Sequence, residues 1–232
     1  MAIKTQTPDF SREIPDGDSH ERDVCVTCGF VNYVNPKIVT GSIVRHEGKI
    51  MLCRRAIEPR IGFWTLPAGF MEVGETTEQA AMREAREEAN ASIVIDRLLA
   101  VYTIPRIAQV QIMYLAHMSE PSFSAGPESL EVMMVGWDDI PWDDIAFPSV
   151  TWALQQYRSV EGVSEFAPFS NPAGAFDGMP SVMSSSCPLP PCGRGRGPTE
   201  VGGGEGTRAS EERSTLSLIS PLRTATGPFF SR

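Results

Sequence analysis

The chain has no apolar run approaching the roughly 18 residues that a membrane-spanning helix needs. Its first residues, MAIKTQTPDFSREIPDGD, lack the apolar stretch of a secretory leader. Cysteine is scarce: there are five, an odd number at uneven spacing, which argues against a disulfide framework. Positive charge is also in short supply, with 20 basic residues against 29 acidic ones and a net charge of −9. Phosphate backbones and anionic bilayers are recognised by basic patches, so neither a general nucleic-acid binder nor a membrane-surface protein is expected. An enzyme that meets an anionic substrate through bound cations remains compatible with this balance. No internal repeat is present. These deficits predict a cytoplasmic protein in a reducing setting, with no nucleic-acid and no membrane partner.

What the chain does have is 232 residues at 41% hydrophobic content, enough for one ordinary domain with residues to spare. The composition changes at Asn171. From there to Arg232, 27 of 62 residues are Gly, Pro or Ser, and no hydrophobic period survives. Such a segment cannot bury enough apolar surface to offset chain entropy, so residues 171–232 are predicted to be a disordered tail outside the working enzyme. Its RGRG at Arg194–Gly197 holds only two arginines, too few for a nucleic-acid site.

Before the tail the pattern is α/β. Ile38–Arg45 and Lys49–Arg55 are apolar-rich runs about a His46-Glu47-Gly48 turn and predict a hairpin. Ile93–Ile104, Val110–Met118 and Glu131–Trp137 predict further strands. Thr76–Ala89 predicts a helix, with Thr76 and Gln79 placed for a capping box and Ala81, Ala85 and Ala89 forming a stripe of small residues. Ser149–Ser159 carries Val150, Ala153, Leu154 and Tyr157 at helical spacing. Strands of mixed character with helices beside them fit a three-layer sandwich.

The chemistry concentrates in GFMEVGETTEQAAMREAREEANA, Gly69–Ala91. Glu84, Glu87 and Glu88 stand at i, i+3 and i+4, which on a helix places three carboxylates on one face with Cβ atoms ~5–6 Å apart. Like charges that close repel, and a hard divalent cation, Mg²⁺ or Mn²⁺, removes the penalty. The competing reading, a solvated acidic face with Arg83 and Arg86 as partners, fits an isolated run of this kind. Arg54 and Arg55 end a strand just before this segment. A guanidinium fork suits phosphate, and strand alternation lets only one of the two face a cleft. Trp64, just ahead of the LPAGF loop, is a candidate for stacking on a base, although a packing role is as natural for a buried aromatic. Cys25-Val26-Thr27-Cys28-Gly29 has the spacing of a zinc knuckle, but four ligands are needed and no second CxxC lies upstream; Cys53 and His20 are the spare candidates.

The run from Gly69 resembles the Nudix box, with Gly69, Glu75, Arg83, Glu84, Ala85, Glu87, Glu88 and Ala91 in register and Asn90 where the family has Gly. That position follows the helix and is expected to need a left-handed backbone, for which Asn is the next most tolerant residue. IPDGD, VCVTCGFVNYVNPKIVTGSIVRHEGKIMLCRR, GFWTLPAGFMEVGET and GPESLE resemble a branch of that family with an N-terminal zinc ribbon, which includes FAD and ADP-ribose pyrophosphatases. The resemblance implies an α/β/α Nudix fold. It implies a half-ribbon over residues 1–35, a Nudix hydrolase domain over 36–170 with its box at 69–91, and the tail beyond. It implies hydrolysis, with water as nucleophile, of a nucleoside diphosphate linked to another moiety, such as FAD, ADP-ribose or NADH. Glu84, Glu87, Glu88 and the Ala68 carbonyl would hold Mg²⁺ or Mn²⁺. Glu75 and Arg83 would pair to fix the loop on the helix. Glu87, or a glutamate beyond the box, Glu128 or Glu131, would be the base. The missing first CxxC puts Zn²⁺ at Cys25 and Cys28 in doubt. Nudix relatives are often homodimers. The alternative from another class is a nucleotide-sensing Nudix domain that binds without cleaving.

Overall fold

The computed structural model describes residues 9–175. Three short strands, β1 (Phe10–Glu13), β2 (Arg22–Cys25) and β3 (Val31–Asn32), form a small antiparallel sheet. The Cys25–Gly29 turn joins β2 to β3. In it the Gly29 N–H donates to the Cys25 carbonyl at 2.8 Å, and the Cys25 N–H donates to the Phe30 carbonyl at 2.8 Å.

A second sheet of seven strands follows. β4 (Lys37–His46), β5 (Lys49–Arg55), β6 (Trp64–Thr65) and β7 (Ala68–Phe70) precede helix α1 (Thr77–Ala89). β8 (Ile93–Ile104), β9 (Gln109–Met118), β10 (Ser129–Val135) and helix α2 (Pro148–Ser159) complete the domain. The sheet order is β10-β5-β4-β9-β8, with β6 beside β5 and β7 beside β4. β4 and β9 run parallel while the other pairs are antiparallel, so the sheet is mixed.

Strand alternation sends neighbouring residues to opposite faces, and the core divides accordingly. Val44, Met51, Cys53 and Ala116 pack with Ala85 and Ala89 of α1. Ile43, Leu52, Leu99, Tyr102 and Leu115 pack with Val150, Ala153, Leu154 and Tyr157 of α2. The result is helix, sheet, helix in three layers. Among the described residues no helix is long and apolar enough to cross a membrane.

Three expectations shift. The β4–β5 hairpin pairs only beside its turn, at Arg45↔Ile50 and His46↔Lys49. Beyond that the strands part, β7 pairing with β4 and β6 with β5, and so carry the Ala68–Phe70 segment into the sheet. The strand expected at Glu131–Trp137 starts and ends two residues earlier, because Trp137 already belongs to a 3-10 turn, Trp137–Asp139. Order also continues past the expected boundary at Asn171. Its side-chain oxygen accepts from the Thr103 N–H at 2.9 Å and its amide donates to the Thr103 carbonyl at 3.0 Å. The rest of the predicted tail, from 176, lies outside the described residues.

Candidate active site

Helix α1 is fixed at both ends. At its start Thr76 Oγ1 accepts from the Gln79 N–H at 3.2 Å, and Gln79 Oε1 accepts from the Thr76 N–H at 2.8 Å. At its end Asn90 adopts the left-handed conformation, φ 48° and ψ 29°, that suits Gly best and Asn next. Asn90 also does what Gly could not. Its side-chain amide donates to Ser124 Oγ at 3.0 Å and to the Ala125 carbonyl at 3.2 Å. The same loop is held by the Gly126 N–H on the Glu88 carbonyl at 3.0 Å. A Cβ at Gly126 would collide with the Glu87 carbonyl, so only Gly allows this approach. Glu128 follows directly and lines the cavity beside the helix.

The carboxylates of α1 differ sharply from one another. Glu88 is 6% exposed, and its Oε2 accepts from the Ala68 N–H at 3.3 Å. Burial, with the nearby Glu84 charge adding to it, pushes the Glu88 carboxyl up to about 8. Glu84 is also buried, and desolvation raises it despite the Arg83 guanidinium beside it. Its carboxylate lies so close over the Gly69 Cα that any side chain at 69 would strike it. Glu87 is half-exposed.

Arg83 ties these parts together. Its Nε lies 2.6 Å from Glu75 Oε1 and its Nη2 donates to the Phe70 carbonyl at 2.8 Å, locking the loop onto the helix. Its Nη1 reaches Glu84 Oε1 at 2.7 Å and Glu87 Oε2 at 3.0 Å. The Arg83 hydrogen bonds hold the Glu75 carboxyl below its ordinary range.

Among the described residues no group of three or more His, Cys, Asp or Glu side chains already converges on a cation-sized point. In this arrangement Arg83 is the counter-ion of two of the three box glutamates. The donor set nevertheless suits a hard dication. Two carboxylates with proton affinity raised first by burial, then by Glu84 at Glu88, by Glu87 at Glu84 and by Glu128 at both, present oxygen donors to an open cavity.

That cavity, of about 540 Å³, is lined at one end by Glu84, Glu87, Glu88 and Glu128 together with Ala68 and Gly69. Arg55 lines it too, its Nε donating to the Pro59 carbonyl at 2.8 Å and its guanidinium lying 5.2 Å from the Phe147 ring centroid. Three candidates fall elsewhere. Arg54 points to the other side of β5, where it donates to the Gly62 carbonyl and pairs with Glu131 at 3.7 Å. Glu131 is its cross-strand neighbour on β10, half-exposed and outside the cavity lining. Strand alternation lets only Arg55 of the two arginines face the cavity, and Glu131 lies beside Arg54. Trp64 is 9% exposed within the core under α2 and does not line the cavity, so it has no face to offer a base.

For zinc, neither spare ligand joins the Cys25–Cys28 turn. Cys53 is buried among apolar residues under α1, which raises its thiol pKa. His20 Nδ1 is bonded to Ser19 Oγ at 2.9 Å. Sequence reasoning missed Gln109, Gln111, Phe147 and Trp152, all of which line the cavity. The available signal was Gln-x-Gln opening an otherwise apolar strand, polar side chains on an inward face.

Buried acid on a helix, facing a cavity beside a mixed sheet, offers oxygen donors to a cation and, through it, to clustered negative charge. A NUDIX domain model matches residues 35–151 and a Nudix N-terminal, zinc-ribbon model matches residues 7–34. The chain belongs to the Nudix hydrolase family. A crystal structure of a NUDIX hydrolase from Nitrosomonas europaea is 43% identical, with a TM-score of 0.67 over 70% of this chain and 93% of the other. An ADP-ribose pyrophosphatase of Methanocaldococcus jannaschii is 30% identical over 113 residues, 47% of this chain and 67% of that protein. An NAD-capped RNA hydrolase, NudC, of Haemophilus influenzae is 41% identical over 71 residues. That match covers 30% of this chain but only 27% of NudC.

Proposed function

We propose that this chain is a divalent-metal-dependent pyrophosphatase that cleaves the diphosphate of a nucleoside diphosphate linked to a second moiety, in the class of ADP-ribose, FAD or NADH. The observation that carries it is the buried Glu84–Glu88 pair lining a cavity of about 540 Å³, within the range that small-molecule sites occupy. The ADP-ribose pyrophosphatase similarity supports the substrate class.

Glu84 and Glu88, one helical turn apart, are the residues to hold Mg²⁺ or Mn²⁺, with Glu87 and the Ala68 carbonyl as further donors. Such an ion would polarise the phosphorus centre and lower the pKa of a bound water. The protein's part is electrostatic and positional. Glu75 and Phe70 hold Arg83, which keeps the Gly69 loop on the helix and leaves its remaining nitrogen to balance Glu84 and Glu87. Arg55 faces the cavity, where a guanidinium can bind a phosphate oxygen. Glu128, carried in by the loop that Asn90 and Gly126 tether, and Glu87 are our candidates to take the proton from an attacking water.

The test is a panel of ADP-ribose, FAD, NADH, dinucleoside polyphosphates and oxidised dNTPs with Mg²⁺ or Mn²⁺, products identified by mass. Cleavage at the diphosphate to give AMP from the first three supports the reading. Tight ADP-ribose binding with no turnover at millimolar metal would replace it with a sensing role.

A further inference from the structure

Two glutamines stand side by side in the cavity, and no role in phosphate chemistry accounts for them. Gln109 and Gln111 lie two residues apart on β9 and so face the same way. Gln111 Nε2 donates to Gln109 Oε1 at 3.1 Å. That bond couples the directions of the two amides. It leaves Gln109 Nε2 with its hydrogens and Gln111 Oε1 with its lone pairs, a donor next to an acceptor. Among the described residues no other protein group takes up either atom. Reversing both amides together would still leave one donor beside one acceptor.

The surroundings are apolar. Ile104, Met113, Phe147 and Trp152 line the same cavity. Gln111 is the cross-strand partner of Tyr102, whose ring meets Trp152 edge-on at 5.6 Å, so the indole is held by packing. Part-buried amides in such a place complete their hydrogen bonds with water or with a ligand that enters the cavity and displaces it. A flat ligand with ring faces for Phe147 and Trp152 and an adjacent acceptor and donor on one edge fits both requirements.

We propose that Gln109 and Gln111 form the base-reading element of the substrate site and that the base is a 6-aminopurine. In adenine the 6-amino donor is flanked by an acceptor on each side, N1 and N7, so either edge can meet the pair. In guanine O6 has a donor on one side and an acceptor on the other, so only one edge fits. The inference rests on the pyrophosphatase reading above and assigns its substrate the adenine end.

Steady-state kinetics with the full chain and Mg²⁺ test it, on ADP-ribose, GDP-ribose and a diphosphate bearing ribose at both ends and no base. The wild type prefers ADP-ribose. Gln111→Leu, and independently Gln109→Leu, raise KM for ADP-ribose about tenfold with kcat little changed, the loss typical of one base-edge amide contact. Turnover of the base-free diphosphate stays at the wild-type level, which also shows that each variant is folded. Unchanged KM for ADP-ribose in both variants overturns the proposal, as does an equal loss on the base-free substrate. A wild-type preference for GDP-ribose that either variant abolishes overturns the assignment of adenine. If the wild type cleaves none of the three, the pyrophosphatase reading itself has failed, a result distinct from all of these.

Discussion

Glu88 carries a carboxyl in a buried site, and its titration and its metal affinity both become testable. Its carboxyl ionises near the ordinary 4.5 in the unfolded chain and near 8 in the fold. Between those values the folded state keeps a proton that the unfolded state has lost. Metal-free stability therefore falls as pH rises through the window, and the full penalty stands above 8. Glu88→Gln removes the penalty. In EDTA its Tm should gain on the wild type steadily from about pH 5 to about pH 8; parallel Tm curves would contradict the burial argument. Added Mg²⁺ or Mn²⁺ should raise the wild-type Tm, and Glu84→Gln/Glu88→Gln should abolish that rise. The same double variant should lower kcat/KM by about 10²-fold or more, since charge stabilisation by a catalytic metal amounts to several kcal/mol. A thermal shift with metal that survives in the double variant would move the ion elsewhere. Among base candidates, Glu128→Gln should slow kcat while Glu131→Gln, on the far side of β10 with Arg54, should not.

At the scale of elements, α1 and its flanking loops were legible in the sequence because their signals are local. Thr76 and Gln79 cap the helix, Arg83 clamps Glu75, and Asn90 supplies the left-handed exit, each within a few residues of its partner or through the chain's own conformation. What the loop Ser124–Glu128 does was not legible, because its anchors on Asn90 and Glu88 lie 34 or more residues back in the chain. Choosing between Glu128 and Glu131 required knowing that the loop folds under the end of α1 while β10 turns Glu131 toward Arg54. Asn90 is the joint of this arrangement. Asn90→Ala should cost about 1–2 kcal/mol from the left-handed backbone alone. Asn90→Gly restores the backbone but still loses the bonds to Ser124 and Ala125. Denaturant melts should rank wild type and Asn90→Gly above Asn90→Ala, while kcat falls in both variants because Glu128 loses its tether. Full activity in Asn90→Gly would show that the backbone bonds of Ser124 to Ala89 and of Gly126 to Glu88 seat the loop without the Asn90 side chain.

For the whole molecule, the sheet order was the least accessible property. β4 pairs in parallel with β9, more than 60 residues away, and only tertiary packing sets that register. The cavity inherits this dependence, since β4, β9 and the start of α2 meet in it from distant parts of the chain. The end of the domain has the same character. Composition placed it at Asn171, but the fold uses residues on both sides of that point. The Phe169 N–H donates to the Leu99 carbonyl at 2.8 Å and its carbonyl accepts from the Val101 N–H at 2.9 Å, so it adds a short bridge to β8. Asn171 then brackets Thr103 on the same strand. Phe166 packs against the α2-side core and lies over Arg97. A chain ending at Ala175 keeps all of these contacts and should retain wild-type Tm and kcat/KM. A chain ending at Gly162 uncovers the edge of β8 and part of the core. The two backbone bonds and the Asn171 pair each contribute about 1 kcal/mol, and the phenylalanines more by burial, so its Tm should drop by several degrees or the protein should fail to fold. Equal melting of the two truncations would show that the strap adds nothing to the domain. A loss of turnover in the chain ending at Ala175, with Tm unchanged, would give residues 176–232 a part in catalysis that their composition does not suggest.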